Sequence, residues 1–337
     1  MIDFVFRFLG VLCPRRGISF GADLGLVLGL VGCITAWFCL IEFSAPAVGI
    51  VLLIAGAGFL AFRLGLSLKK FWPELRRASR LCGCNCAIER WLAPVLLVGL
   101  IVGALYLHLL TGYPLANYDV LSYHLPILES VAKQATAHQM FWDPVTFYER
   151  LPFGGQLLQW MFVGNFGAIS PAMVQQQWLN AGVLCASAIC AARIVARLGG
   201  SAVARVLAAF LVLTNPMSAA ATAAGLTDPF VGLFALAALE FLLRPRTAWN
   251  VGVAGLLMGS AATVKLGAAG VVIVPLVVVG GVLWSRPIWR AKGWRKALVL
   301  ARFAVSLGVG LGLALGPWMI RGWVLSGSPL HPFGGFS

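Results

Sequence analysis

Apolar stretches of membrane-crossing length constrain this chain more than any other feature. They run over 22–43, 46–66, 91–111, 172–193, 266–284 and 298–320, with shorter ones over 203–217, 228–243 and 249–264. About 20 apolar residues in a helix cross ~30 Å of hydrocarbon. Only helices and closed barrels satisfy the backbone in lipid, and continuous apolar runs mean helices. The expected fold class is therefore all-α: a polytopic helical membrane protein with nine crossing helices and one surface or re-entrant helix. Only 11% of the 337 residues are charged, against about 25% in a typical soluble domain. A two-helix hairpin and a basic connector are expected over 1–90 as an accessory to a main transmembrane module over 91–337.

The formal net charge of +14 raises nucleic acid as a partner, but the position of the charge argues against it. Basic residues cluster between apolar runs, as the positive-inside rule requires. With the N-terminus in the cytosol, 20 of the 25 Lys and Arg residues fall on the cytosolic side. Lys133, Arg150, Lys265 and Arg321 fall on the other. The expected location is a cell membrane, inner or plasma, multi-pass, with its active face outside the cytoplasm. The start of the chain, Met1 to Leu12 followed by Pro14-Arg15-Arg16, lacks a small-residue cleavage site for a signal peptide.

One polar island interrupts this composition. Tyr113-Pro-Leu-Ala-Asn-Tyr-Asp119-Val-Leu-Ser-Tyr123-His124-Leu-Pro126 carries an acid, a phenol and an imidazole within six residues. Asp119 could act as a general base on an acceptor hydroxyl, an effect of typically ~10²–10⁴-fold. It could equally cap the helix that Leu121, Leu125, Leu128 and Ala132 predict. Asp119 and Tyr123 share a face of that helix. A further helix is expected over 156–166, opened by Pro152 and Gly154-Gly155.

Other polar residues fall on the same outer side. Asp228, in Leu226-Thr-Asp-Pro-Phe, is a partner for Asp119, or else Thr227 or Asp228 caps a helix with Pro229 at its first position. Two such carboxylates could hold a divalent cation, with an incomplete ligand set. Lys265 ends a glycine-rich segment, where a charge near lipid points to function or snorkelling. Arg150 and Arg321 are a phosphate's partners or interfacial anchors beside Tyr148, Trp318 and Trp323. His124 could move a proton or stack on a sugar, and His331 lies on an outer loop. The four His are not at zinc-ligand spacing, and Cys82-Gly-Cys84-Asn-Cys86 lacks a second pair. No Walker A, dinucleotide fingerprint or nucleophile elbow occurs, so no nucleotide cofactor is expected.

In this order the segments resemble those of GT-C type integral-membrane glycosyltransferases, nearest to the protein O-mannosyltransferases and the lipid A aminoarabinose transferases. The segments are Tyr118-Asp119-Val-Leu-Ser-Tyr123-His124-Leu-Pro126, Leu226-Thr-Asp228-Pro-Phe, Gly255-Leu-Leu-Met-Gly-Ser-Ala-Ala-Thr-Val-Lys265 and Pro317-Trp318-Met-Ile-Arg321 with Ser328-Pro-Leu-His331-Pro-Phe. The resemblance covers roughly 91–333 and implies a GT-C-like core. It implies a polyprenyl-phosphate sugar as donor and a glycan, lipid or protein hydroxyl as acceptor. Asp119 would be the base and transfer would invert the anomeric carbon. Tyr123, His124, Asp228, Lys265, Arg150, Arg321 and His331 would contact substrate. The chain departs from the mannosyltransferases in having Val after Asp119, and it stops where many relatives continue. A transporter, or a truncated scaffold that binds lipid-linked sugar without turnover, is the competing expectation.

Overall fold

The computed structural model describes residues 20–40, 58, 98–99, 102–103, 152, 154–163, 169–290 and 292–329. Every element among these residues is helical. In chain order they are α1 (Phe20–Leu40), α2 (Gly154–Val163), α3 (Ile169–Arg197), α4 (Ala202–Thr214), α5 (Pro216–Ala223), α6 (Asp228–Leu242), α7 (Ala248–Val264), a π-helical turn (Ala269–Ile273) running into α8 (Val274–Arg290), and α9 (Arg295–Ser326). By length and composition α3 (over Gln176–Arg197) and α9 can each cross a membrane, and the bent pair α4–α5 makes a third crossing if it is one span. Of the expected helices over 46–66 and 91–111, only residues 58, 98–99 and 102–103 are described, and these are helical.

Local chemistry sets the boundaries. Ser201 caps α4 by accepting from the Ala204 N–H, and Thr247 caps α7 by accepting from the Asn250 N–H. The expected single helix over 203–217 is broken instead. Pro216 disfavours helical geometry at Asn215, which is extended at φ −61° and ψ 117°. The Asn215 side chain then accepts from Met217 N and Ser218 N and starts α5, bent 48° from α4. Gly327 ends α9 with φ 70°, a left-handed residue that glycine adopts without steric penalty.

The core lies where α1, α3, α6, α7 and α9 meet. Leu28, Phe230, Leu233, Phe234, Phe241, Leu257 and Met258 are each 0–2% exposed there. Helix α1, expected as half of an accessory hairpin, packs against α3, α6, α7 and α9 and belongs to the centre. Helices α7 and α9 approach backbone to backbone. A Cβ on Gly255 would meet Leu307 O, one on Gly310 would overlap Gly252 O, and one on Gly259 would lie 2.7 Å from Ala314 Cβ. Small residues let helices approach closely in lipid, where packing replaces the hydrophobic drive. The outer flank of α9 (Val305, Val309, Leu313, Ile320) is exposed, as a lipid-facing surface would be.

The glycine contacts also fix direction. Residue 252 of α7 faces 306 of α9, 255 faces 307 and 259 faces 311–314, so the two helices run parallel. Helix α6 runs the other way, since its first residue meets the end of α7. Asp228, Lys265 and Arg321 therefore share one end of the bundle. Arg197, Arg244 and Arg295 lie at the opposite end. This separation matches the charge pattern of the sequence.

Candidate functional site

Two of the residues singled out from the sequence meet directly. Lys265 Nζ donates to Asp228 Oδ1 at 2.6 Å. Helix α7 is buried along nearly its whole length. At Lys265 the backbone turns extended (φ −149°, ψ 117°), while its N–H still donates to Ala261 O. The lysine thus leaves the core at the mouth of the bundle, and its side chain is 58% exposed against 39% for Asp228.

Asp228 is the first residue of α6, after Thr227 at the cap position and before Pro229. The capping role considered from sequence is not made by Thr227, whose side chain forms no cap hydrogen bond. The Asp228 carboxylate faces Lys265 instead, and its charge also suits a helix N-terminus. A divalent ion at Asp228 would have to compete with the ammonium already there. Among the described residues no three His, Cys, Asp or Glu side chains converge as a metal site.

A buried amide network, missed in sequence, holds the turn that delivers Asp228. Gln159 of α2 and Gln176 of α3 both donate to Gly225 O, at 3.1 and 2.5 Å. Gln177 donates to Ala223 O and Asn180 to Leu226 O, each at 2.7 Å. Gln176 also donates to Gln159 Oε1 at 3.0 Å. These side chains occupy the carbonyls left open where α5 ends. Gly225 takes φ 74° there, a conformation costly for any residue with a Cβ. The sequence signal was the run Gln175-Gln176-Gln177 with Asn180 inside an apolar stretch. Amides in that setting need buried partners.

The glycine pair opening α2 wedges between the two arms of the ion pair. A Cβ on Gly154 would lie 2.6 Å from Thr263 Oγ1, and one on Gly155 would lie 2.7 Å from Thr227 Cβ. Thr263 is two residues before Lys265, and Thr227 immediately precedes Asp228. Helix α2, which follows Arg150 in sequence, thus opens beside the pair. Asp119, Tyr123, His124, Arg150 and His331 themselves lie outside the described residues.

Arg321 is not a surface anchor. It is 1% exposed, whereas Trp323, two residues on, is 66% exposed. A crevice lined by Gly32, Gly154, Ser260, Thr263 and Trp318 lies behind the pair. It has room for about one water, so no sugar fits there. Cys33 and Cys190 are buried and Cys185 is exposed, all as free thiols.

A second charged cluster lies at the far end of α6. Glu240, twelve residues and about 18 Å along the axis from Asp228, is 0% exposed. Its Oε1 is 3.6 Å from Arg193, 3.4 Å from Arg197 and 3.3 Å from Arg244. No protein-family model matches the chain, and comparison with curated proteins and with solved structures gives no match.

Proposed function

We propose that this protein is a GT-C type membrane glycosyltransferase. Its donor is a polyprenyl-phosphate-linked sugar and its acceptor a hydroxyl outside the cytoplasm. The observation that carries the proposal is the exposed Asp228–Lys265 pair, set at the mouth of the helical bundle beside the start of α2. A phosphate diester entering from the bilayer is a natural partner for a half-exposed lysine at that level. Asp228 holds Lys265 in place until the phosphate displaces it.

In the proposed reaction Asp119 takes the proton of the acceptor hydroxyl. The acceptor oxygen attacks the anomeric carbon from the face opposite the phosphate. The bond from that carbon to the phosphate oxygen breaks, and polyprenyl phosphate leaves with the electron pair. Lys265 neutralises the leaving charge and the anomeric carbon inverts. The test is sugar transfer by full-length protein in membranes supplied with polyprenyl-phosphate sugars. Asp119→Asn is expected to abolish transfer at equal abundance. Unchanged transfer would remove Asp119 as the base.

A transporter is the second proposal, supported by the buried Glu240 cluster, because ionisable groups within a bundle also mark transport pathways. Failure of the wild type to transfer sugar across several donors and acceptors would favour it, or a scaffold without turnover.

A further inference from the structure

Helix α9 carries cations on the face it turns away from the bundle. Phe303, Leu307, Gly310, Ala314 and Trp318 are buried against its neighbours. Arg295, Leu298, Arg302, Val305 and Val309 lie on another side, and all five are exposed. At 3.6 residues per turn they fall within a sector roughly 80° wide. Arg295 opens the helix. Arg302 follows about 10 Å along the axis, with Leu298 before it and Val305 and Val309 beyond it, each more than half exposed.

Neither arginine has an ion-pair partner among the described residues, where Glu240 and Asp228 pair with other cations. The chain has no Asp or Glu after Glu240. A cation on an apolar, lipid-facing stripe is costly unless something balances it. Side chains on a helix lean toward its N-terminus, so the Arg302 guanidinium reaches back toward Arg295. That end of α9 lies at the level of two exposed indoles, Trp289 and Trp294, the residues that favour a membrane–water interface. Lys292 and Lys296 are exposed there as well, with Lys296 Nζ 5.6 Å from the centre of the Trp289 ring. Charge that only orients a protein can sit in the connecting turn, as Lys292 does. It does not require an arginine two turns inside an exposed apolar face.

We propose that Arg295 and Arg302 hold the phosphate of an acidic phospholipid, whose acyl chain lies along Val305 and Val309. The stripe has the order of such a lipid, with guanidiniums at the headgroup level and apolar side chains beyond. Guanidinium forks match phosphate oxygens. A choline headgroup brings its own ammonium toward four exposed cations, so a net negative headgroup is the match. Helix α9 is long and apolar enough to cross the bilayer, and basic groups at its end meet the lipids of that leaflet. The site is remote from Asp228 and Lys265 and does not depend on the glycosyltransferase proposal.

The experiment is native mass spectrometry of the full chain released from nanodiscs of mixed phosphatidylglycerol and phosphatidylcholine. Wild type is expected to retain phosphatidylglycerol at least about tenfold over phosphatidylcholine, the ratio that one net charge-assisted hydrogen bond gives. Arg295→Gln with Arg302→Gln is expected to remove the preference. Lys292→Gln with Lys296→Gln, an equal loss of charge in the same region but off the stripe, is expected to keep most of it. Equal retention of both lipids by wild type would overturn the proposal whether or not the variants fold. The same loss in both double variants would show a diffuse basic surface and overturn the site. A mass of two chains without retained lipid would assign the stripe to a second copy instead. A further arm adds millimolar inorganic phosphate to phosphatidylcholine nanodiscs and follows thermal unfolding. No stabilisation is expected, and stabilisation matching that by phosphatidylglycerol would overturn the lipid as the source.

Discussion

Lys265 and Asp228 form a 2.6 Å ion pair although both side chains are more than one-third exposed. An exposed pair contributes about 0–1 kcal/mol to stability, so its closeness reflects where two helix ends meet rather than a lock on the fold. Lys265→Gln is therefore expected to leave thermal unfolding nearly unchanged. It should raise the KM for a polyprenyl-phosphate donor roughly tenfold or more, the loss of a charge-assisted hydrogen bond. Asp228→Asn should lower that KM by freeing the ammonium. Steady-state kinetics at two salt concentrations would check both. A KM unaffected by either change would remove the pair from donor binding.

The amide network predicts a different phenotype. Asn180→Leu removes the donor to Leu226 O and leaves that carbonyl, beside the Asp228 turn, without it. The expected loss is about 1–3 kcal/mol, with lower activity from a misplaced Asp228. Denaturation in mild detergent measures the first, and sugar transfer per folded molecule the second. Full stability in Asn180→Leu would show that water replaces the amide.

Glycines of α9 should divide sharply. Gly310→Ala puts a methyl into the backbone of α7 at Gly252 and is expected to destabilise by about 1–3 kcal/mol, as overpacking does. Gly308 has nothing within 4 Å of a built Cβ. Gly308→Ala should be neutral or stabilising by up to about 1 kcal/mol, the helix preference of alanine. Thermal unfolding of the two single variants compares them. Equal effects would contradict the close approach of α7 and α9.

Glu240→Gln takes the shared carboxylate from three arginines. Removing one partner from a buried ion pair costs about 3–5 kcal/mol, and a large fall in Tm is expected. Arg197→Gln added to it should recover part of the loss, because one like charge leaves the cluster. No recovery in the double variant would show that Glu240 acts as a packing and hydrogen-bonding group and not through its charge.

Much of the architecture was legible because lipid imposes a simple rule on sequence. Apolar length located α1, α3, α6 and α7 to within about four residues, whereas α8 and α9 each run six residues beyond the expected ends at 284 and 320. Pro216 marked a break that hydropathy alone runs through, because a missing N–H and a restricted Asn215 act on the backbone and not on polarity. The candidate site was legible in part. Asp228 and Lys265 stood out as charges beside apolar runs, and their shared side followed from counting basic residues.

Their pairing was not legible, because 37 residues separate them and the meeting depends on how α6 and α7 pack. Arg321 reads as an interfacial cation in one dimension, yet its place on α9 turns it inward while Trp323 turns outward. The Glu240 cluster read as scattered topogenic arginines. Only the parallel packing of α3 and α6 brings Arg193, Arg197 and Arg244 around one acid. The sequence by itself thus determined that the chain is helical with apolar helices long enough to cross a membrane, and which residues carry its charge, because apolar length acts on each segment separately. Which charges face one another was decided by tertiary packing, because ion pairs and close glycine contacts depend on distances between segments.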